Sequence, residues 1–194
     1  MASNNIEIEA KVLLSEEDYK KVVSHLELSG DTITQTNYYL DSADRILKHY
    51  GMILRIREVK GQFTLTMKAP MAEGLLEKNQ ILTGAVAQKL VDENLFPEGD
   101  IKDFLEILHI PVPALKILAQ LTTEREEMDY KNTVIDVSKN TYSGKVDYEL
   151  ECDSDSALKS QETLKALCAE IGVPFVLNDL SKETRAINAA TGNK

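Results

Sequence analysis

Cysteine and long apolar runs are both scarce in this chain. Its two cysteines, Cys152 and Cys168, belong to no CxxC motif or Cys/His cluster. Neither a disulfide framework nor a zinc site is therefore indicated, and both thiols are expected to be buried or half-buried. The longest apolar runs, at 105–110 and 166–169, are far shorter than the roughly 20 residues that cross a bilayer. A protein that does not span a membrane is expected.

Positive charge is also in deficit. Lys and Arg number 22 against 32 Asp and Glu, which gives a formal net charge of −10. This balance argues against general affinity for nucleic acid or for an anionic membrane, because both select basic surfaces. A polyanionic ligand would have to meet locally concentrated cations. Residues 1–9 lack the basic segment and apolar run of a secretory signal, so a cytoplasmic protein is expected.

The composition is that of a folded domain. The 194 residues are 43% hydrophobic and 28% charged, and no repeat, linker or low-complexity tract interrupts them. A chain of this length can bury a substantial core as one unit. We therefore expect a single domain over residues 1–194.

Periodicity predicts the secondary structure. The first strand shows a period of two, in which Glu7, Glu9 and Lys11 alternate with Ile6, Ile8, Ala10 and Val12. A helix that begins near Ser15 follows it. Further strands are predicted at 34–40, 52–59, 63–68, 75–82, 119–130, 133–139 and 145–152, with tight turns at Lys60-Gly61 and Ser143-Gly144. Further helices are predicted at about 85–93, 101–108, 156–171 and 181–190. Two runs of strands with helices between and after them indicate an α+β domain built on a large antiparallel sheet or barrel.

Several strands carry charge on one face. In one of them Arg55 and Arg57 alternate with Leu54 and Ile56. Taken alone, such a strand fits an antiparallel sheet that buries its apolar face and exposes its polar face to water. Across the strands, however, the cations cluster in the middle of the chain while paired glutamates occur near both ends.

The glutamate pairs suggest a metal site. Glu7 and Glu9, like Glu149 and Glu151, place two carboxylates about 7 Å apart on one strand face. If barrel closure brought the four together, they would repel one another unless cations lay among them. Carboxylate oxygens suit Mg²⁺ or Mn²⁺.

An ordered series of motifs resembles the CYTH superfamily, the triphosphate tunnel metalloenzymes, and especially its small bacterial members. The series spans nearly the whole chain and consists of Glu7-x-Glu9-x-Lys11, Tyr38-Tyr39-Leu40-Asp41, Arg55-x-Arg57, Leu65-Thr66-Met67-Lys68, Arg125, Asp136, Glu149-Leu150-Glu151 and Ser181-Lys182. The resemblance implies a closed antiparallel tunnel of about eight strands with helices packed outside. It also implies that the charged faces point into the tunnel.

The resemblance further implies roles for these side chains. The phosphate-binding cations would be Lys11, Arg55, Arg57, Lys68, Arg125 and Lys182. The ligands of Mg²⁺ or Mn²⁺ would be Glu7, Glu9, Asp136, Glu149 and Glu151. Catalysis would involve Glu7, Glu9 and Lys11, with one carboxylate among Glu7, Glu9 and Glu149 orienting the attacking water. Glu77 is a further candidate. Arg185 could reach the ligand, although a solvent-facing position is favoured, and Tyr39 is expected to pack rather than bind.

The function that follows is metal-dependent hydrolysis of a small triphosphate. Inorganic tripolyphosphate, thiamine triphosphate and a nucleoside triphosphate are all compatible with the motifs. One alternative is a class IV-type adenylate cyclase, because it uses the same charges. Another is a non-catalytic sensor that binds polyphosphate or a nucleotide. The substrate and the oligomeric state stay open at this point.

Overall fold

Nine antiparallel strands form one sheet in the computed structural model, which describes residues 3–192 and gives side chains from Ile8 onward. The strands are β1 (Ser3–Glu7), β2 (Glu9–Leu14), β3 (Ile33–Asp41), β4 (Ile53–Val59), β5 (Gln62–Pro70), β6 (Leu75–Leu82), β7 (Lys116–Tyr130), β8 (Thr133–Tyr142) and β9 (Lys145–Asp153). The helices are α1 (Glu16–His25), α2 (Ile46–His49), α3 (Gly84–Glu93), α4 (Asp100–Ile107), α5 (Ala157–Ile171) and α6 (Lys182–Thr191). A 3-10 turn, Val112–Ala114, precedes β7. The predicted α+β class is confirmed.

The two ends of the sheet meet in one stretch of chain. The strand order is β1-β6-β5-β4-β3-β7-β8-β9-β2, and its end strands are consecutive in sequence, separated by Ile8 alone. Here β1 pairs with β6 and β2 pairs with β9. The single first strand of the sequence prediction is thus divided at Ile8, which makes nine strands rather than about eight. The chain connects the two edge strands at Ile8, but β1 and β2 do not pair with each other, so among the described residues the sheet is not the closed barrel that was predicted.

Tight turns connect two of the antiparallel pairs as predicted. Lys60 and Gly61 join β4 to β5 with φ of 49° and 77°, and Ser143 and Gly144 join β8 to β9 with φ of 45° and 73°. Two successive left-handed residues are typical of the two-residue hairpin turn whose twist matches that of the strands. These local turns keep the flanking strands in register.

The apolar face of the sheet lies outside, beneath helices. Ile56 of β4 and Leu65 of β5 are fully buried in a cluster with Leu90 of α3 and Leu105 of α4. A second cluster joins apolar residues of β2, β8 and β9 to α5. Since alternate residues of a strand face opposite sides, the charged residues between them face inward. The simpler interpretation of a polar face open to water is therefore wrong for this sheet.

Helix α6 packs against the inner face of the sheet. Its Ala186 and Ile187 are fully buried against Tyr39 of β3, Leu121 of β7 and Tyr142 of β8. These strand residues share the parity of the charged inner positions, so α6 fills one part of the space that the sheet surrounds. The sequence predicts this helix but not its location.

The two cysteines have the predicted burial. Cys152 on β9 and Cys168 on α5 are both free and buried within the second apolar cluster. Within residues 3–192, no helix combines the length and apolar character that a bilayer span needs.

Candidate active site

A cavity that is partly open to solvent lies on the inner side of the sheet. Side chains from seven strands, β2 to β7 and β9, and from the start of α6 line it. The sequence-predicted residues that line it are Glu9, Lys11, Arg55, Arg57, Lys68, Arg125, Glu151 and Lys182. Residues that are far apart in sequence thus line one cavity.

Four cations form one side of the cavity, which we call the basic wall. Its members are Arg55 and Arg57 of β4, Lys68 of β5 and Arg125 of β7. Arg55 is 7% exposed, and its buried Nε has no hydrogen-bond partner among the described residues. Burial, together with the like charges of Arg55 and Arg125, lowers the pKa of Arg57 to about 9. The wall therefore holds concentrated positive charge.

Glu77 of β6 neutralises part of this wall. Its Oε2 lies 3.4 Å from Lys68 Nζ and 3.8 Å from Arg55 Nη2. Burial would raise the pKa of the Glu77 carboxyl, but Lys68, a hydrogen bond from Asn79 and Arg55 together hold it below its usual value. Glu77, which the sequence analysis named as a further candidate, thus lies at the border of the site.

Carboxylates dominate the inner face of β2, β8 and β9, and we call this group the acidic wall: Glu9 of β2, Asp136 of β8, and Glu149, Glu151 and Asp153 of β9. Glu9, Glu151 and Asp153 line the cavity. Glu151 is its centre, because the pairing register sets it opposite both Lys11 and Asp136. Lys11 also binds Glu9 through a short hydrogen bond. The Glu151 carboxyl is buried, which would raise its pKa, but the charges of Lys182 and Lys11 hold that pKa well below the usual range.

Asp136 lies deeper than the other acids. It is fully buried and forms an ion pair with Arg125. Its Oδ1 has no hydrogen-bond partner among the described residues. Burial and the neighbouring Glu151 charge raise the pKa of Asp136 to about 6, against the lowering effects of Lys182 and Arg125. This oxygen could therefore coordinate a cation.

Arg185 contacts the acidic wall. Its guanidinium donates to Asp147 Oδ2 at 2.9 Å and to Glu149 Oε2 at 3.0 Å, and its side chain is 7% exposed. Glu149 itself is completely buried. The solvent-facing position that the sequence favoured for Arg185 is therefore wrong, because α6 turns this residue toward the sheet.

The Tyr38 to Asp41 motif forms the end of β3, and its Asp41 holds the short helix α2 that follows. The carboxylate of Asp41 accepts hydrogen bonds from the backbone N–H of Ser42 at 2.8 Å and of Leu47 at 2.9 Å. It also accepts one from Arg45 Nε at 2.9 Å, while Arg45 Nη2 donates to Glu183 of α6 at 2.7 Å. Asp41 thus fixes α2, and Arg45 ties α2 to α6. Tyr39 packs in the inner apolar cluster, as expected, and also borders the cavity.

The donor set fits a hard divalent cation by its chemistry. Carboxylate oxygens of Glu9 and Glu151 line the cavity, and Asp136 lies beside Glu151. From Ile8 to Gly192, no three Asp, Glu, His or Cys side chains are grouped closely enough to hold a metal, because Lys11 and Lys182 lie between the acids. Oxygen-rich sites of this type suit Mg²⁺ and Mn²⁺. Glu7 was also predicted as a ligand, but its side chain lies outside the described residues.

Some residues at the cavity were not found from sequence. Asp153 lines it, and Asp147 binds Arg185. A signal for both was present, since Asp147, Glu149, Glu151 and Asp153 alternate along β9 as one acidic face. Asn37 also lines the cavity, and no sequence motif singled it out.

Comparisons with known proteins agree with this geometry. A family model described as the CYTH domain matches residues 5–185. A protein of Bacillus subtilis (strain 168), provisionally named the triphosphatase YjbK, is 32% identical over 173 residues, which are 89% of this chain and 90% of that one.

Solved structures share the fold. A Bacillus halodurans protein, provisionally named an adenylate cyclase, has a TM-score of 0.88 and 34% identity, with 94% of this chain and 97% of that one covered. The Hippeastrum protein HpAC1, described as revealing a dominant triphosphatase activity, has a TM-score of 0.74 and 18% identity, with 97% of each chain covered. Since the family model spans nearly the entire sequence, the chain belongs to the CYTH domain family.

Proposed function

We propose that this protein is a divalent-metal-dependent triphosphatase that hydrolyses a linear triphosphate bound in the cavity. The observation that carries the proposal is that cations of the basic wall and carboxylates of the acidic wall line one cavity on the inner side of the sheet. A phosphate chain offers many negatively charged oxygens to the first wall, and its metal partner offers positive charge to the second. Cations fixed in advance stabilise the charge that develops on a transferring phosphoryl group.

The basic wall has the donor types that a phosphate chain requires. Arg55 and Arg57 offer planar forks that bind two oxygens at once, whereas Lys68 contributes a point charge with freer placement. Arg57 is the member most ready for a ligand, because its hydrogen-bond partner is the neutral side chain of Asn37. An anion beside Arg57 would relieve the like-charge repulsion that lowers its pKa.

The acidic wall would hold Mg²⁺ or Mn²⁺ through Glu9, Asp136 and Glu151. When bound, such an ion neutralises phosphate oxygens and lowers the pKa of a coordinated water. Of the predicted ligands, Glu149 fits least well, because Arg185 binds both of its oxygens. In this proposal Glu149 contributes by pairing with Lys182 and Arg185 of α6 rather than by binding the metal.

Lys11 and Lys182 would change partners when a substrate binds. Lys11 Nζ contacts Glu9 and lies 3.7 Å from Glu151 Oε1, and Lys182 Nζ lies 2.5 Å from Glu151 Oε2. Phosphate oxygens would take over these ammonium groups as the carboxylates turn to the metal. Glu9 is the candidate to orient the attacking water, since its side chain lines the cavity beside Lys11.

The Bacillus subtilis relative, provisionally named a triphosphatase, supports hydrolysis. The Bacillus halodurans relative, provisionally named an adenylate cyclase, supports the cyclase as the second candidate. Both reactions draw on the same cations and acids, so the products must separate them.

A substrate panel tests the proposal. Tripolyphosphate, thiamine triphosphate and ATP are each incubated with the protein and Mg²⁺ or Mn²⁺, and orthophosphate, pyrophosphate and cyclic AMP are measured separately. We expect orthophosphate from at least one triphosphate and no product after chelation of the metal. Cyclic AMP with pyrophosphate would establish the cyclase instead, and tight binding without any product would establish a sensor. Loss of activity in the Arg57→Met variant controls for a contaminating phosphatase.

A further inference from the structure

We propose that Arg185 is a positioning residue that holds Glu149 and thereby keeps Lys182 available to a phosphate in the cavity. The inference rests on the proposed function, because Lys182 matters in this way only if a phosphate chain binds. It assigns a role to an arginine that lies beside the cavity rather than among the residues that line it.

Arg185 uses its guanidinium on several acceptors at once. Nη1 and Nη2 donate to the two oxygens of Glu149 at 3.2 and 3.0 Å. Nε donates to Asp147 Oδ2 at 2.9 Å, and Nη1 also donates to the Leu180 carbonyl at 2.8 Å. A planar fork that binds two carboxylates fixes both of them in orientation, which a lysine ammonium cannot do.

Asp147 is itself held from behind. Tyr142 Oη donates to its Oδ2 at 2.6 Å, and Asn140 Nδ2 donates to its Oδ1 at 3.0 Å. Asn140 is oriented in turn by Thr123 Oγ1, which donates to Asn140 Oδ1 at 2.8 Å. Thr123 and Asn140 are fully buried, so this set of hydrogen bonds leaves little freedom to Asp147 and, through it, to Arg185.

Lys182 lies one helical turn before Arg185 and shares one of its acceptors. Glu149 Oε2 lies 3.3 Å from Lys182 Nζ and 3.0 Å from Arg185 Nη2. The shorter contact belongs to Arg185, which supplies a full positive charge to Glu149. The attraction between Glu149 and Lys182 is therefore divided, and the ammonium stays on the cavity side, beside Glu151.

Loss of the fork would change the partner of Lys182. A lysine ammonium at position 185 cannot bind both oxygens of Glu149 as the guanidinium does, so Glu149 would pair more tightly with Lys182, which is already within reach. A phosphate would then have to compete with a tight buried ion pair for the Lys182 ammonium. We therefore expect weaker substrate binding, with less effect on turnover once the substrate is bound.

The test compares Arg185→Lys with Arg45→Lys. Arg45 also binds α6, through Glu183, but does not touch Glu149 or Lys182. We expect Arg185→Lys to raise KM for tripolyphosphate, and its Kd in Ca²⁺ by calorimetry, about tenfold, the scale of one hydrogen bond to a charged group. We expect kcat to change much less, and Arg45→Lys to leave KM near the wild-type value.

A second substitution separates positioning from simple docking of α6. Glu149→Gln, added to Arg185→Lys, removes the charge that would hold Lys182, so KM and Kd should return toward wild type. If Arg185 only docked the helix, the double variant would bind no better than Arg185→Lys. Should Arg185→Lys fail to fold, Asp147→Asn loosens Arg185 while keeping its charge, and we expect it to raise KM by a smaller factor.

The outcomes are distinct. Equal KM in the Arg185→Lys and Arg45→Lys proteins, or no recovery in the double variant, overturns the role of Arg185 while the proposed function stands. A wild-type protein that neither binds nor hydrolyses any triphosphate overturns both. A rise in KM confined to the Arg185 and Asp147 variants, with recovery by Glu149→Gln, supports the inference.

Discussion

Arg57 Nε donates a hydrogen bond to Asn37 Oδ1 at 3.1 Å. The neighbouring cations Arg55 and Arg125 instead have carboxylates as partners. Among the residues whose side chains are described, no acid lies within ion-pairing distance of Arg57. A half-buried charge without an opposite partner is unfavourable and is stabilised when an anion binds.

Replacement of Arg57 should therefore affect activity more than stability. For Arg57→Met we expect kcat/KM for the triphosphate to fall at least about 30-fold, which corresponds to about 2 kcal/mol of transition-state stabilisation. We expect the melting temperature of the ligand-free protein to stay the same or to rise. Steady-state kinetics and thermal unfolding measure the two quantities. Unchanged kinetics with a large loss of stability would make Arg57 a structural residue.

The adjacent position should behave in the opposite way. Ile56 is fully buried in the outer apolar cluster, so Ile56→Ala should lower the free energy of unfolding by about 2 to 5 kcal/mol. The fraction that remains folded should keep its KM. Denaturant titration measures the loss, and a neutral effect would mean that the strand presents its other face to the cavity.

Replacement of Glu151 should raise the metal concentration that the enzyme needs for activity. Since Glu151 lies between Lys11 and Lys182, Glu151→Gln removes both a proposed metal ligand and the partner of two cations. We expect the Mn²⁺ concentration for half-maximal activity to rise at least about tenfold, as one charged contact is lost. Glu124→Gln, which affects only the pair with Lys139, is the matched control. An unchanged Mn²⁺ requirement would exclude Glu151 as a ligand.

The same substitution should destabilise the ligand-free protein. Glu151 repels the buried Asp136 carboxylate, but Lys11 and Lys182 lie between Glu9, Glu151 and Glu149 and pair with them. Removal of the Glu151 charge leaves two ammonium groups less well paired, at a cost of about 1 to 3 kcal/mol. Thermal unfolding without metal checks this result, and a gain in stability would contradict the paired arrangement.

Local signals were sufficient for most of the secondary structure. The predicted strand 75–82 coincides with β6, and both predicted two-residue turns are present. These features depend on residues close in sequence, so periodicity and turn composition indicate them directly. Helix α2 was missed because its four residues are too few for a helical period, and it is held by the Asp41 side chain.

Long-range features could not be predicted in the same way. The break at Ile8 arises because the chain pairs with β6 before it and with β9 after it, while the period-two pattern runs through without change. The contact of Arg185 with Asp147 and Glu149 likewise depends on how α6 packs on the sheet. The motif resemblance placed eight predicted charges at the cavity, but it could not distinguish acids open to the cavity from those bound by arginine.

The binding of phosphate chains of different length tests the central claim most directly. Thermal unfolding is measured with orthophosphate, pyrophosphate and tripolyphosphate at equal concentration, each with Ca²⁺, which can occupy oxygen sites. A ligand at a hundredfold excess over its Kd stabilises the folded state by about 2.7 kcal/mol, which raises Tm by about 2–4 °C per kcal/mol. We predict the largest rise with tripolyphosphate and a small rise with orthophosphate, because only the longer chain can contact cations from Lys11 to Lys182 together. Equal shifts for all three anions would contradict a site built for a triphosphate chain.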